Sequence, residues 1–104
     1  MGLAINVTEH TTPVAGVVRF EADRNLTGMA HERYNSIDDV IFDRWNDRLA
    51  RQIFERGGVN HVHIYGNEVT VALAPGANTL GIPELIRNLY IHYREGVLPS
   101  ILPE

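Results

Sequence analysis

The sequence contains no cysteine at all. This absence excludes disulfide bonds, thiolate nucleophiles, zinc ribbons and cysteine-ligated iron–sulfur clusters from the chemistry that the chain performs by itself. It fits a reducing compartment, so we expect a cytoplasmic protein. We also predict that this chain alone binds no cofactor.

Long apolar runs and an excess of positive charge are missing as well. No run approaches the roughly 20 apolar residues that a membrane-spanning helix needs, and the N-terminal residues lack the features of a signal peptide. The formal net charge is −4, and the sequence has no basic run. We therefore expect neither a membrane nor a nucleic acid as a partner.

What the sequence does contain is enough for one globular domain. Its length is 104 residues, of which 44% are hydrophobic. A chain of this size can bury a single core without a disulfide or a metal. We predict one domain that spans residues 1–104.

Short apolar or alternating runs predict four strands. These runs are residues 3–8, Val17–Ala22, Val59–Tyr65 and residues 68–74. Gly66-Asn67 suits a two-residue hairpin turn between the last two strands. The polar segment 23–36 is expected to be irregular, with at most a short strand near Leu26.

Two stretches with the helical period predict two amphipathic helices. The first runs from about Asp38 to Arg56, bends near Asn46 and ends at Gly57-Gly58; Ser36 and Asp47 are alternative N-caps. Its buried stripe is expected to include Ile41, Phe42, Trp45, Leu49 and Ile53.

The second helix carries its stripe at regular spacing. The stripe consists of Ile82, Leu85, Ile86, Leu89 and Tyr93. Pro83 fits the first turn, Gly96 fits the end, and the proline-containing tail is expected to lie against the body. The whole pattern predicts an α+β, two-layer fold in the order β-β-α-β-β-α, with an antiparallel sheet of about four strands and both helices on one face.

The segment 47–73 resembles the N-terminal domain of the Nfu/NifU-type iron–sulfur scaffold proteins. The matching positions are Leu49-Ala50, Ile53-Phe54, Gly58-Val59, Val62 and Val69-Thr70-Val71. Weaker similarities extend over nearly the whole chain. They are Thr8, Glu9, Thr12, Pro13, Arg19 and Phe20 near the start, Tyr34-Asn35-Ser36 with Asp38-Asp39, and Glu95-Gly96-Val97-Leu98-Pro99 near the end.

Three departures limit what this resemblance implies. Val14-Ala15-Gly16 replaces the Asn-Pro-Asn of the family, residues 41–45 look like an insertion, and Asp47-Arg48 replaces the usual Ser-Pro. The family carries its cluster on a Cys-x-x-Cys in a separate C-terminal domain, which this sequence lacks. The resemblance therefore implies the accessory role: docking to iron–sulfur cluster assembly proteins or to client proteins, without chemistry.

His61 and His63 are the most conspicuous candidate site residues. Because side chains alternate along a strand, both point to the same side, opposite Ala72 and Thr70 and away from the helices. Two imidazoles supply only two metal ligands, and a firm site needs a third or fourth. His10, His31 or His92 would have to join through a tertiary contact. Metal binding is therefore the alternative, and a partner-facing or solvated surface is preferred.

Five further residues are candidates for binding a protein partner. Tyr65 and Thr70 share the open sheet face with the two histidines. Arg44, Arg48 and Arg51 share one face of the first helix, where a solvated surface competes with a docking patch for acidic partners. No catalytic constellation is present, so we predict a non-enzymatic interaction domain, with a homo-oligomer as one further use of the same surface.

Overall fold

The structure, a computed structural model, describes residues 5–90. The elements follow the order β1 (Val7–Thr11), β2 (Val17–Ala22), β3 (His31–Tyr34), α1 (Trp45–Arg56), β4 (Val59–Tyr65), β5 (Glu68–Leu73) and α2 (Ile82–Arg87). The strands form one antiparallel sheet in the order β1-β2-β5-β4-β3. The predicted α+β class with an antiparallel sheet and two helices is confirmed, but the sheet has five strands rather than about four.

The extra strand, β3, lies inside the segment that was predicted to be irregular. Its sequence is His-Glu-Arg-Tyr, and only Tyr34 is buried. A strand of this kind has no apolar alternation to reveal it; its pairing with β4 supplies the stabilisation instead. Leu26, the position favoured for a hidden strand, is buried at 8% exposure but lies in the preceding loop.

The β4–β5 hairpin agrees closely with the prediction. Gly66 has a φ of 61° and Asn67 has a negative φ, which fits the two-residue turn with glycine first. Tyr65 pairs with Glu68 at the turn. Further along, Val59 pairs with Leu73 but His61 pairs with Ala72, so Asn60 is the extra residue of a β-bulge.

The first strand starts later than predicted. Residues 3–8 were expected to form it, and the strand observed is Val7–Thr11. Ile5 is fully buried and its N–H donates to the Arg87 carbonyl at the end of α2 (3.0 Å), so this backbone group bonds to the helix and not within the sheet.

The predicted start of the first helix at Asp38 is wrong. A separate 3-10 turn at Ile37–Asp39 is capped by Ser36, and α1 begins only at Trp45. Asp47, the third residue of the helix, accepts the Arg44 backbone N–H, and this hydrogen bond caps the N-terminus of α1. The end at Gly57 is as predicted, with a φ of 90°.

This later start changes which apolar side chains are buried. Ile41 and Phe42, which were assigned to the buried stripe, are 73% and 58% exposed, and Trp45 is 37% exposed. Their spacing would align with Leu49 only in a continuous helix, and the chain leaves the helical path before Trp45. Trp45 packs edge-on against Tyr90 instead, with ring centroids 4.2 Å apart.

The second helix begins at Ile82 with Pro83 in its first turn, as predicted, but it ends at Arg87. Leu89 nevertheless reaches the core, because its N–H donates to the Ile86 carbonyl in a turn that extends the helix (3.2 Å). The expectations for Tyr93, Gly96 and the tail fall outside the described residues.

One hydrophobic core lies between the sheet and the two helices. Its largest fully buried side chains are Ile5, Phe20, Leu49, Ile53, Val62, Ile64, Val69, Val71, Ile82 and Ile86. Apart from Ile5, which precedes β1, they come from α1, α2 and one face of the sheet, which leaves the opposite face of the sheet without a helix among residues 5–90. No helix in that range is long and apolar enough to cross a membrane.

Candidate functional site

The predicted histidines lie on the face of the sheet opposite the helices. His61, His63 and Tyr65 pair with Ala72, Thr70 and Glu68, which is the predicted register. Their neighbours Val62 and Ile64 are fully buried in the core. The alternation in this hairpin therefore separates a core face from an open face, as expected.

His31, which the sequence did not assign to this face, completes an aromatic stack with His63 and Tyr65. Its ring stacks on Tyr65 with centroids 3.8 Å apart and an interplanar angle of 4°. Its Nδ1 lies 3.0 Å from Nε2 of His63. At this distance one ring nitrogen must carry a hydrogen and the other a lone pair. The stack was missed because it requires β3 beside β4.

His61 does not share in this contact. Its Nδ1 lies 2.8 Å from Oδ1 of Asn35, at the end of β3. The two histidines therefore share a face but have different partners. Within residues 5–90, no group of three or more histidine, aspartate or glutamate side chains is arranged to hold a metal ion.

The surroundings of His63 favour its neutral form. Partial burial is the main cause that lowers its pKa below the ordinary value of 6.5, and the charge of Arg33 adds to it. His31 and His61 act in the same direction, and Glu68 opposes them. The short contact with His31 needs a lone pair on one of the two rings, and a neutral His63 is compatible with it.

The open face is divided by charge. On β2 and β5, Arg19 donates to Glu68 (2.8 Å), and on β1 and β2 the His10 ring lies 3.0 Å from Glu21, so the arginine in this part of the face has an acidic partner. On β3, Arg33 has no acidic partner among residues 5–90. The β3–β4 half of the open face therefore carries the uncompensated positive charge.

The three arginines predicted as a docking patch are engaged within the chain. Arg44 contacts Asp47 and Glu32, at 2.7 Å and 3.1 Å. Arg48 donates to Asp43 (2.6 Å), and Arg51 lies 3.7 Å from the same carboxylate. Each of the three arginines thus has an acidic partner in the chain, and Arg44 lies at the residue before α1 rather than on its face. Docking of acidic partners at these residues stays a prediction.

A buried polar cluster, formed by Tyr34, Asn46 and Asp47, lies on the core side of the sheet. The Tyr34 hydroxyl donates to Asp47 (2.8 Å) and accepts from the Asn46 amide (2.7 Å). The three side chains are at most 4% exposed. Asp47 also accepts from the Arg44 guanidinium (2.7 Å), so its carboxylate is fully used in structure.

The pKa values in the buried polar cluster follow from these contacts. Burial alone would raise the pKa of Asp47, but the hydrogen bonds from Arg44 and Tyr34 outweigh it and lower the pKa below its usual range. Burial, with the hydrogen bond to Asp47, raises the pKa of Tyr34. Asp47 is therefore a buried anion held by donors, which is typical of a structural ion pair.

The element order and the one-sided sheet define a small α+β domain. Among solved structures, the chain is similar to the X-ray crystal structure of protein SAV1430 from Staphylococcus aureus, with a TM-score of 0.58 and 15% sequence identity. The alignment covers 86% of this chain and 99% of that chain. At such low identity the similarity shows the fold alone. No protein-family model and no curated protein matches the chain.

Proposed function

We propose that this chain is a non-enzymatic protein-interaction domain with a role in iron–sulfur cluster assembly or delivery. The observation that carries the interaction role is the open face. There His61, His63, Tyr65 and Thr70 present aromatic and polar groups on paired strands of the sheet. A mixture of aromatic and polar side chains is the composition of many recognition surfaces.

The iron–sulfur role rests on the resemblance to the Nfu/NifU N-terminal domain. Its strongest positions, such as Leu49-Ala50 and Val69-Thr70-Val71, lie in α1 and β5, and most of them are core residues. They support a shared fold better than a shared partner. Because the chain has no cysteine, a cysteine-bound cluster belongs to another protein, and this domain contributes docking.

The absence of an enzymatic role is part of the same proposal. The most perturbed carboxylate among residues 5–90, Asp47, is buried under donors from Arg44 and Tyr34. Ser36 caps the 3-10 turn by accepting the Asp38 N–H (3.2 Å). Both groups have structural roles that account for their positions.

The test is capture of purified cluster-assembly components and iron–sulfur client proteins on the immobilised chain. We expect Thr70→Arg to abolish retention, because it places a long charged side chain at the centre of the open face. Thr11→Arg is the matched control. It makes the same change at an exposed residue of β1 whose side chain, like that of its partner Val18, lies on the side of the sheet away from the open face. No retained component, or equal retention by both variants, would contradict the proposal.

A second candidate function is histidine-based metal binding. The observation that favours it is the 3.0 Å separation of ring nitrogens in His31 and His63, which one divalent ion can bridge when it replaces the hydrogen between them. His61, the other predicted ligand, contacts Asn35. Titration with zinc, iron(II) or nickel, followed by histidine NMR shifts, separates the candidates. Saturating shifts at or below about 10 μM, lost in His63→Ala, would favour metal binding.

A further inference from the structure

The β3 strand forms one edge of the sheet, and its backbone groups there are available. The Tyr65–Glu68 pair closes the two-residue hairpin turn, so the backbone groups of Tyr65 and His63 are directed to β5. Those of Ile64 and Val62 are then directed to β3. Ile64 and Val62 pair with Glu32 and Tyr34.

It follows that the backbone N–H and C=O groups of His31 and Arg33 are directed away from the sheet. No turn or loop hydrogen bond within residues 5–90 uses them. Exposed groups of this kind can pair with an added strand from another chain. The side chains of the same two residues lie on the open face, since they pair with Tyr65 and His63.

The charge at this edge indicates which kind of partner strand it would bind. Arg33 is exposed and has no acidic partner in the described part of the chain, whereas Arg19 on the same face is paired with Glu68. This local positive surface stands out in a chain whose formal net charge is −4.

We propose that the β3 edge binds an acidic, extended segment of a partner protein as a sixth strand of the sheet. The segment's backbone pairs with His31 and Arg33, and a carboxylate on its open-face side contacts the Arg33 guanidinium. This inference rests on the proposed interaction role and names the binding mode and the chemistry of the partner. It does not depend on whether the partner belongs to iron–sulfur cluster assembly.

A second copy of this chain suits the edge less well. Pairing of two β3 strands about a two-fold axis would bring the arginines and histidines of both copies together, with no acidic side chain on the open-face side of either strand. Like charges in close opposition oppose association. Charge complementarity therefore favours a different, acidic segment.

The test is an NMR titration of the full chain with a blocked heptapeptide in which glutamate alternates with threonine. We expect shifts confined to β3 and β4, and slower amide exchange at His31 and Arg33. The counterpart with lysine in place of glutamate is expected to bind about tenfold or more weakly. The glutamate peptide with N-methylated backbone amides keeps its charge but cannot pair as a strand, so it should not bind.

Two variants complete the test. Arg33→Glu should weaken binding of the acidic peptide by about tenfold or more and reverse the preference towards the basic peptide. Arg87→Glu makes the same charge change at an exposed position on α2 and should leave binding unchanged. Both variants replace exposed side chains, and circular dichroism verifies that both are folded.

Several outcomes would overturn the inference. They are equal binding of both peptides, unaltered binding of the N-methylated peptide, shifts outside β3 and β4, or a concentration-dependent dimer paired through β3. If cluster-assembly proteins are still retained in the capture experiment, the failure concerns this binding mode and the proposed function stands. If the peptide binds as expected but no such protein is retained, the proposed function fails and the edge site stands.

Discussion

The two faces of the sheet use polar groups in opposite ways. On the core face, the buried polar cluster and Arg44 satisfy each other completely, and no buried side-chain nitrogen or oxygen in residues 5–90 lacks a partner. On the open face, the aromatic stack is accessible and Arg33 has no acidic partner there. The first arrangement stabilises one fold, whereas the second leaves exposed groups that the proposed partner would contact.

The largest effect is expected from removing the carboxylate on the core face. Asp47→Ala leaves the Tyr34 hydroxyl and the Arg44 guanidinium without their shared acceptor, so it should lower the free energy of unfolding by about 3 kcal/mol. Urea denaturation measures this. Asp43→Ala, which removes an exposed ion-pair partner of Arg48, should cost less than about 1 kcal/mol. Equal losses would contradict the distinction between buried polar groups, which are fully paired, and exposed ones.

Adjacent residues on β4 provide the next comparison. Val62→Ala removes two buried methyl groups and should lower the free energy of unfolding by about 2 kcal/mol. The loss includes the cavity that the methyl groups leave, because core side chains surround this position. His63→Ala, one residue further on the open face, should cost less than about 1 kcal/mol. Thermal unfolding of both variants measures the difference. A reversed order would mean that the aromatic stack belongs to the stabilising core.

A smaller effect is expected for Tyr34→Phe, which removes one hydroxyl from the buried polar cluster. Asp47 keeps its hydrogen bonds from Arg44, so the loss should be about 1 kcal/mol. The variant also leaves the Asn46 amide with only its long contact to Asp47 (3.4 Å). Urea denaturation measures the change. A loss as large as that of Asp47→Ala would show that the hydroxyl is the main support of the carboxylate.

The smallest effect concerns pH and the open face. Because the pKa of His63 is lower in the folded chain than its ordinary value of 6.5, the unfolded chain binds more protons between these two values. The contribution of neutral His63 to the free energy of unfolding is therefore complete above pH 6.5, and it is lost as the pH falls through the folded-state pKa.

Urea midpoints at about pH 7.5 and about pH 5.5 measure this loss. The charges that face His63 come from Arg33, His31, His61 and Glu68. His63→Gln keeps a polar side chain that does not titrate, so the fall in stability should be smaller in this variant. An identical pH dependence in the wild type and the variant would assign the effect to other groups.

The parts of the fold that local sequence patterns predict are those with strong local signals. Alternation in β4 and β5, with glycine at the turn, was enough to predict the hairpin, its register and the open-face position of His61, His63, Tyr65 and Thr70. The end of α1 at Gly57 was marked equally clearly. In these segments the structure is determined by the alternation of apolar and polar residues and by glycines that adopt positive φ.

The parts that were missed depend on contacts between distant segments. β3 has no apolar alternation, and its pairing with β4 brings His31 to His63 from 32 residues away. The start of α1 depends on Asp47, which lies inside the helix and accepts the Arg44 backbone N–H. The helix therefore begins after Ile41 and Phe42, although their apolar spacing predicted an earlier start. The site was thus half predicted, because one of its two strands carries no local signal.

The extra residue at Asn60 also affects how related sequences should be aligned. It allows Val59 to pack against the core while His61, two positions later, points the other way. A relative without this residue would keep both strands and both faces, with one residue fewer before the histidine positions. An ungapped alignment through this point would exchange inward and outward positions on one side of Asn60, so a single-residue gap belongs there.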